Sequence, residues 1–240
     1  MRSRRRREQS KWLHRGRLRD VVVVLCVASA FRFSVSTATF CAGLALLAVG
    51  CALHVVVKGQ LVRNVILCTE GAYAIVRHPY YLANYLIDVS FCLLSGNVFL
   101  LLLYPFLFFW AYGSTLREEE SRLASLHGGD FDAYQARVPQ VFPNATVFAR
   151  LRTLGKGFSW RRVSWGEIKR LFRFGFVATL LALLQQVGPE GWKELLVGRS
   201  PLDRGGLVLL ALSTALFLAS ASIPRRGEEV GRSGDSRTGA

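Results

Sequence analysis

The sequence is short of acidic residues, and its cysteines form no pattern with an obvious chemical role. Asp and Glu number 16 against 31 Lys and Arg, which gives a formal net charge of +15. The five cysteines lie in or beside apolar stretches, and their separations fit neither a zinc site nor a disulfide framework. Buried free thiols behave as small hydrophobic groups. The sequence therefore predicts no metal site and no disulfide scaffold.

Much of the positive charge lies at the start of the chain, where nine of the first nineteen residues are Arg or Lys. Aromatic side chains are not interleaved with these residues, so the arm does not resemble a nucleic-acid-binding segment and no nucleic-acid partner is predicted. A basic segment directly before an apolar run indicates a cytoplasmic N-terminus and attracts anionic lipid head groups. Arg32 within the first apolar run argues against a cleaved secretory signal.

Apolar residues make up 51% of the chain and are bunched rather than alternating. A membrane span needs about 20 such residues, roughly 17–25. Residues 34–57, residues 206–223 and residues 98–112 with their flanks meet that length. We therefore predict an all-α integral membrane protein with about six transmembrane helices; five, or four with one segment in the interface, are the alternative counts. The shorter apolar runs that complete the six are residues 21–31, 80–95 and 174–187.

Charges on the connecting segments place both termini in the cytoplasm, and abundant Arg and Ala suggest a bacterial inner membrane. Within the C-terminal part, residues 158–176 mix Trp and Phe with Arg and Lys, which favours an interfacial amphipathic helix or an aromatic belt at the end of a span. We expect a basic arm at residues 1–20, a membrane core at 21–145, an extension with that segment and two further spans at 146–226, and a disordered tail at 227–240.

The first candidate site motif is Arg77-His78-Pro79. Pro79 disfavours a helical conformation at His78 and can itself open a helix, so the motif is predicted to be a loop that enters a helix at the membrane surface. The N–H groups and dipole of a helix start favour an anion, and His78 can donate or accept a hydrogen bond. A basic and aromatic interface belt is the structural alternative.

The second candidate motif is Glu118-Glu119-Glu120, which follows the fourth apolar run. Successive helical side chains diverge by about 100°, so at most one or two of these carboxylates can face a site. A solvated helical surface, or a capping box between Thr115 and Glu118, is the structural alternative. A carboxylate here would pair with a ligand ammonium, and the two motifs together suit a zwitterionic ligand.

A third motif follows these two, and all three lie within about residues 55–143. The order is Tyr73-x-x-x-Arg77-His78-Pro79-x-Tyr81, then Glu118-Glu119-Glu120-x-x-Leu123, then Phe131-x-x-Tyr134-x-x-x-Val138-Pro139. The arrangement resembles the isoprenylcysteine carboxyl methyltransferase family, which belongs with the phosphatidylethanolamine N-methyltransferase-like membrane enzymes. The resemblance implies a helical membrane fold with a cofactor pocket for S-adenosylmethionine at the cytoplasmic face.

The resemblance also implies roles for individual residues. Arg77 would face a developing or resident negative charge, and His78 or a glutamate would be the base if the acceptor is an amine or hydroxyl. Arg77, His78 and Glu118 are thus the expected catalytic residues. Glu119 is preferred to Glu118 as the protein carboxylate that binds the cofactor. The expected cofactor-binding residues are Val65, Ile66, Leu67, Cys68, Tyr73, His78, Pro79, Tyr80, Tyr81 and Glu119.

Two positions depart from the family pattern. Asn84 lies near a usual small glycine, and Thr115 replaces the arginine that meets the substrate carboxylate in prenylcysteine enzymes; Arg117 is two residues out of register, about 200° around a helix. The expected function is therefore methyl transfer from S-adenosylmethionine to a lipid-like acceptor in the bilayer, either prenylated or a phospholipid. The alternatives are an NADPH-dependent membrane isoprenoid or sterol reductase of related fold and a non-catalytic lipid-binding protein. The sequence leaves O- or N-methylation and the oligomeric state open.

Overall fold

The computed structural model describes residues 18–61, 66–145, 147–196 and 202–223, and these parts are helical without β-strands. Most of the predicted basic arm and the whole predicted tail at 227–240 lie outside the described residues. The helices are α1 (residues 18–30), α2 (Thr37–Gln60), α3 (Pro79–Ser95), α4 (Val98–His127), α5 (Gly129–Arg137), α6 (Val147–Arg150), α7 (Trp165–Leu196) and α8 (Arg204–Ser222), with 3-10 helices at Gly71–Ala74, Leu151–Thr153 and Trp160–Arg162.

Hydrogen bonds connect the turns that join the long helices. Asn97, the N-cap of α4, donates from its side-chain amide to the Ser29 hydroxyl in α1 at 2.7 Å. Gln185 of α7 donates to the backbone carbonyl oxygens of Phe33 at 3.0 Å and Ser95 at 3.3 Å. The α1–α2 turn, the α3–α4 turn and the part of α7 just before Gly188 therefore meet at one end of the bundle.

Within the described residues, four helices are long and apolar enough to cross a membrane: α2, α4, the Trp165–Gly188 part of α7, and α8. They coincide with four of the predicted spans, so an all-α integral membrane protein is confirmed. The other two predicted spans fall on α1, which is described for residues 18–30 only, and on α3, which has 17 residues. The described part of α1 and the whole of α3 are shorter than the roughly 20 residues of an ordinary span, so four spans are supported within the described residues.

Two predicted boundaries differ from the structure. The helix that contains the fourth apolar run does not end with that run at residue 112, because α4 continues to His127 and carries the glutamate cluster. Residues 158–176 do not form one helix: they contain the 3-10 helix Trp160–Arg162, and α7 begins only at Trp165. α7 is itself interrupted at Gly188, whose φ of 63° is left-handed and easily adopted by glycine.

α2 and α3 pack closely because α2 presents glycines to α3. A Cβ atom on Gly50 would lie 2.8 Å from Ile87 Cγ1 and 3.1 Å from the Ile87 backbone nitrogen. Gly43 lies seven residues earlier, two turns back on the same face of α2. A Cβ atom there would lie 3.0 Å from Leu94 Cδ2. Small residues let helix backbones approach in this way in membrane proteins.

Gly50→Ala is therefore expected to lower the free energy of unfolding by about 1–3 kcal/mol, the usual cost of overpacking a filled interior. The added methyl group meets backbone as well as side chain, so the neighbouring helix must shift. Unfolding by denaturing detergent in mixed micelles measures the effect. Gly129→Ala is the matched control, since a Cβ there meets nothing within 4 Å; equal stability of the two variants would contradict the close contact.

A buried acidic group joins four helices inside the bundle. Asp88 of α3 is 1% exposed and accepts hydrogen bonds from Arg19 Nε at 2.7 Å and from the Tyr104 hydroxyl at 2.6 Å. The guanidinium of Arg19 also lies 5.2 Å from the ring centre of Phe174 in α7. Charged groups at membrane depth are costly unless paired, so Asp88 and Arg19 depend on each other.

Candidate active site

Arg77 and His78 lie in the loop between α2 and α3, and the loop is held by backbone pairing. Pro79 occupies the first position of α3, where its missing N–H costs nothing. The backbone N–H of Arg77 donates to the carbonyl oxygen of Pro139 at 2.8 Å, and that of His78 donates to Gln140 at 2.9 Å. The first and third sequence motifs therefore pair directly.

The guanidinium of Arg77 binds a resident carboxylate, that of Glu120. Its Nε and Nη2 donate to Glu120 Oε1 at 2.9 and 2.7 Å, and its Nη1 donates to the backbone oxygens of Val138 at 2.6 Å and Gln135 at 3.1 Å. The Arg77 side chain is only 8% exposed and that of Glu120 is 14% exposed. Arg77 thus fixes α4 to the segment that follows α5.

Glu119 is held in place by the tyrosine and histidine of the first motif. The Tyr81 hydroxyl donates to Glu119 Oε1 at 2.8 Å, and His78 Nδ1 lies 3.6 Å from Glu119 Oε2. The other ring nitrogen of His78 is 3.2 Å from Glu120 Oε1. The Glu119 side chain is 38% exposed, so its carboxylate is oriented by the protein and still accessible to a ligand.

The three consecutive glutamates have different surroundings, as the helix geometry requires. Glu118 is exposed and, like Glu119, lines the cavity described below, whereas Glu120 turns towards Arg77. The sequence did not single out Glu120, because nothing in the motif fixes the rotation of α4. The alternative of a capping box between Thr115 and Glu118 is wrong, since Thr115 lies in the interior of α4 and is buried.

The predicted site residues border one open cavity of about 1920 Å³. Ligand sites usually enclose about 300–1,000 Å³, so this cavity has room for more than one small molecule. It extends from the loop before α3 to α7 and α8. Val65 lies outside the described residues. Those on the wall are Ile66, Leu67, Cys68, Tyr73, Arg77, His78, Pro79, Tyr80, Tyr81, Glu118 and Glu119.

The C-terminal part of the chain contributes charged groups to the same wall. Glu167 of α7 lies 2.8 Å from His54 Nε2 and 3.1 Å from Lys58 Nζ. Arg170 lies 3.1 Å from Glu167 and donates to the Tyr80 hydroxyl at 2.8 Å, and Lys58 Nζ is 4.1 Å from the centre of the Tyr80 ring. The sequence did not predict this group, although ionisable residues beside apolar runs were a usable signal.

The third motif packs against the loop that precedes α3. The Tyr134 hydroxyl donates to the backbone oxygen of Tyr73 at 2.6 Å. Burial raises the pKa of the Tyr134 phenol above its ordinary value, so the group stays protonated and keeps donating. Phe131, Tyr134 and Val138 form a small apolar cluster with Leu67 packed against it. The α5 segment is thereby fastened over the loop that carries the predicted cofactor residues.

Residues 22–125 match the model of the isoprenylcysteine carboxyl methyltransferase (ICMT) family. This region contains the first two motifs and the helices that carry them. The chain is ICMT-like over this region. The ICMT-like resemblance of the sequence is thereby confirmed, and the match ends before the third motif, α5 and the C-terminal helices.

Two curated relatives show partial similarity to the ICMT-like chain. Protein-S-isoprenylcysteine O-methyltransferase of Schizosaccharomyces pombe is 28% identical over 88 residues, which cover 37% of each chain. The nickel-cobalt-cadmium resistance protein NccN of Alcaligenes xylosoxydans xylosoxydans is 30% identical over 98 residues, 41% of this chain and 44% of that protein. The chain thus spans less than half the length of these relatives. No solved structure gives a match.

Proposed function

We propose that the chain transfers a methyl group from S-adenosylmethionine to a lipid-like acceptor taken from the bilayer. The observation that carries the proposal is the Glu119 carboxylate, which Tyr81 and His78 orient while it stays open to the cavity. The ICMT-like match over residues 22–125 supports the same reaction class, and one relative is named as an O-methyltransferase.

The cavity wall fits this cofactor. S-adenosylmethionine carries an α-ammonium and an α-carboxylate, and it supplies an electrophilic methyl group on a sulfonium. Glu119 and Glu118 suit the ammonium because both line the cavity. Tyr81 and Tyr112 also line it, with ring centres 5.5 Å apart, and aromatic faces attract cations such as a sulfonium. His78 can donate to a carboxylate, and the predicted strip Ile66–Cys68 adds an apolar wall.

We assign a different task to Arg77. Because Glu120 and two backbone oxygens already occupy its guanidinium, Arg77 acts by positioning His78 and the loop before α3. Glu120 is its counterpart on α4. Methyl transfer depends on holding the reacting atoms about 3–3.5 Å apart, so a rigid loop serves the reaction directly. His78 or a glutamate takes up a proton where the acceptor has one to lose.

The acceptor would enter from the side that faces α7 and α8, where apolar residues of both helices line part of the wall. In this proposal α1 and α3 also cross the membrane, which gives six spans, cytoplasmic termini and a cofactor entrance at the cytoplasmic face. Residues 146–226 then form an extension that supplies the lipid-facing wall. The apolar residues of that wall are Phe174, Phe176, Val177, Phe217 and Ala221.

Glu119→Ala is expected to weaken S-adenosylmethionine binding by about tenfold to hundredfold, because a hydrogen bond to a charged group contributes about 1.5–3 kcal/mol and 1.4 kcal/mol is tenfold in affinity. Calorimetric titration of the detergent-solubilised protein measures this. Asp130→Ala, an acidic residue exposed on α5, is the control. Unchanged binding in Glu119→Ala, or binding of NADPH but not S-adenosylmethionine, would contradict the proposal.

A further inference from the structure

The side chain of Tyr80 is held by two cations that lie outside the three sequence motifs. Tyr80 is a predicted cofactor-binding residue, follows Pro79 in the first turn of α3 and lines the cavity. Arg170 Nη1 donates to the Tyr80 hydroxyl at 2.8 Å, and Lys58 Nζ lies 4.1 Å from the centre of its ring. An ammonium at that distance from an aromatic face is attracted to it. The two cations therefore fix Tyr80 at its hydroxyl and at its ring.

One carboxylate, that of Glu167, binds both cations. Its Oε1 lies 3.1 Å from Lys58 Nζ, and its Oε2 lies 3.1 Å from Arg170 Nη1. The buried His54 ring holds the same carboxylate from the interior, with Nε2 2.8 Å from Oε2. Without Glu167, the ammonium and the guanidinium would repel each other beside Tyr80. Glu167 therefore keeps both cations in contact with that residue.

Tyr80 in turn contacts the residue that orients Glu119. The rings of Tyr80 and Tyr81 meet edge to face, with their centres 6.2 Å apart and their planes at 84°. This is a preferred arrangement of aromatic pairs. The Tyr81 hydroxyl donates to Glu119 Oε1 at 2.8 Å. A shift of Tyr80 is therefore expected to disturb both the cavity wall and the support of the Glu119 carboxylate.

We propose that Arg170 and Glu167 are positioning residues for S-adenosylmethionine binding and that they act through Tyr80; the inference rests on the proposed function. Both residues lie in the C-terminal extension, beyond residues 22–125 that match the ICMT family model. Affinity for the cofactor thus depends on α7 as well as on the three motifs. Methyl transfer requires closely held reacting atoms, so a fixed Tyr80 side chain serves the reaction too.

A double-mutant cycle tests whether Arg170 acts through the Tyr80 hydroxyl. Calorimetric titration measures S-adenosylmethionine affinity in full-length wild type, Arg170→Met, Tyr80→Phe and the double variant, all solubilised in detergent. We expect each single change to weaken binding by about three- to tenfold, the range that one hydrogen bond supports. The double variant should bind about as weakly as either single one, because both changes remove the same interaction. Additive losses, which a direct contact between Arg170 and the cofactor would give, overturn the proposal.

Glu167→Gln tests the carboxylate in the same way. Glutamine nearly preserves the volume and can still form a hydrogen bond with His54, but it has no charge to hold Lys58 and Arg170. We expect cofactor binding to weaken by about three- to tenfold in the wild-type background. In a Tyr80→Leu background, where no ring or hydroxyl remains to be positioned, the same change should have little further effect. Equal losses in the two backgrounds overturn the role of Glu167.

Two controls separate this inference from a general loss of structure and from the proposed function. Arg161→Met makes the matched change at an exposed arginine of the 3-10 helix Trp160–Arg162 and should leave cofactor affinity within about twofold. Unfolding by denaturing detergent verifies that each titrated variant is folded. Wild type that binds no S-adenosylmethionine overturns the proposed function and this inference together. Normal binding by wild type, Arg170→Met and Glu167→Gln alike overturns this inference alone.

Discussion

Arg77→Ala is expected to lower the free energy of unfolding by about 3–5 kcal/mol, the usual cost of breaking a buried ion pair, and to weaken cofactor binding as the loop loosens. The substitution leaves the Glu120 carboxylate without its cation in a place where it is only 14% exposed. It also removes the donors to the Val138 and Gln135 carbonyl oxygens. Unfolding by denaturing detergent in mixed micelles measures the change.

Two further variants identify the cause. Arg77→Lys keeps the charge, yet an ammonium cannot reproduce the fork of donors, so we expect an intermediate loss. Arg117→Ala removes an exposed arginine from α4 and should change stability by no more than about 0.5 kcal/mol. If Arg77→Ala is as stable as Arg117→Ala, the Arg77–Glu120 pair does not hold the site together.

Asp88→Ala is expected to have an effect of similar size, about 3–5 kcal/mol, for a different reason. It leaves the Arg19 guanidinium without a counterion inside the bundle and the Tyr104 hydroxyl without its acceptor. Because α1, α3 and α4 meet at this residue, the loss is expected to loosen the helix packing as well. The same detergent-unfolding measurement applies, with exposed Asp132→Ala as the control.

A double substitution separates pairing from packing. Replacing a buried ion pair by apolar residues of similar size is often neutral or stabilising, so Arg19→Leu with Asp88→Leu should recover much of the stability lost in Asp88→Ala. The coupling energy from the double-mutant cycle isolates the pair. If the double variant is less stable than Asp88→Ala, the two charges do not depend on each other, and the interpretation of Asp88 as a paired group is wrong.

The sequence predicted the fold class because long apolar runs have few structural solutions. It also predicted that Arg77-His78-Pro79 and the glutamate cluster lie close together, since both border predicted spans on the cytoplasmic side. What it could not supply was the rotation of α4. Successive residues differ by about 100°, so the assignment among Glu118, Glu119 and Glu120 depends on where the helix begins and on its continuation past Gly113.

Pairings between distant parts of the chain were also beyond the sequence. Asp88 and Arg19 are 69 residues apart, and His54 and Glu167 are 113 residues apart. Each residue alone resembles a charge at the end of an apolar run, and only the packing of the helices shows its partner. Within the described residues, the Asn84 side-chain oxygen and the Thr115 hydroxyl have no hydrogen-bond partner, which is visible only when all their neighbours are known. The sequence marked both positions as departures from a family but gave them no task.

The carboxylate of Glu167 has a consequence for how the chain can be divided. The match to the family model ends at residue 125, yet His54 and Lys58 inside that region take their acidic partner from α7, well beyond it. His54 is fully buried, so a cut after α5 would remove both its cover and the carboxylate that pairs with it and with Lys58. The region that matches the family model is thus smaller than the region that must fold together, which extends through α7.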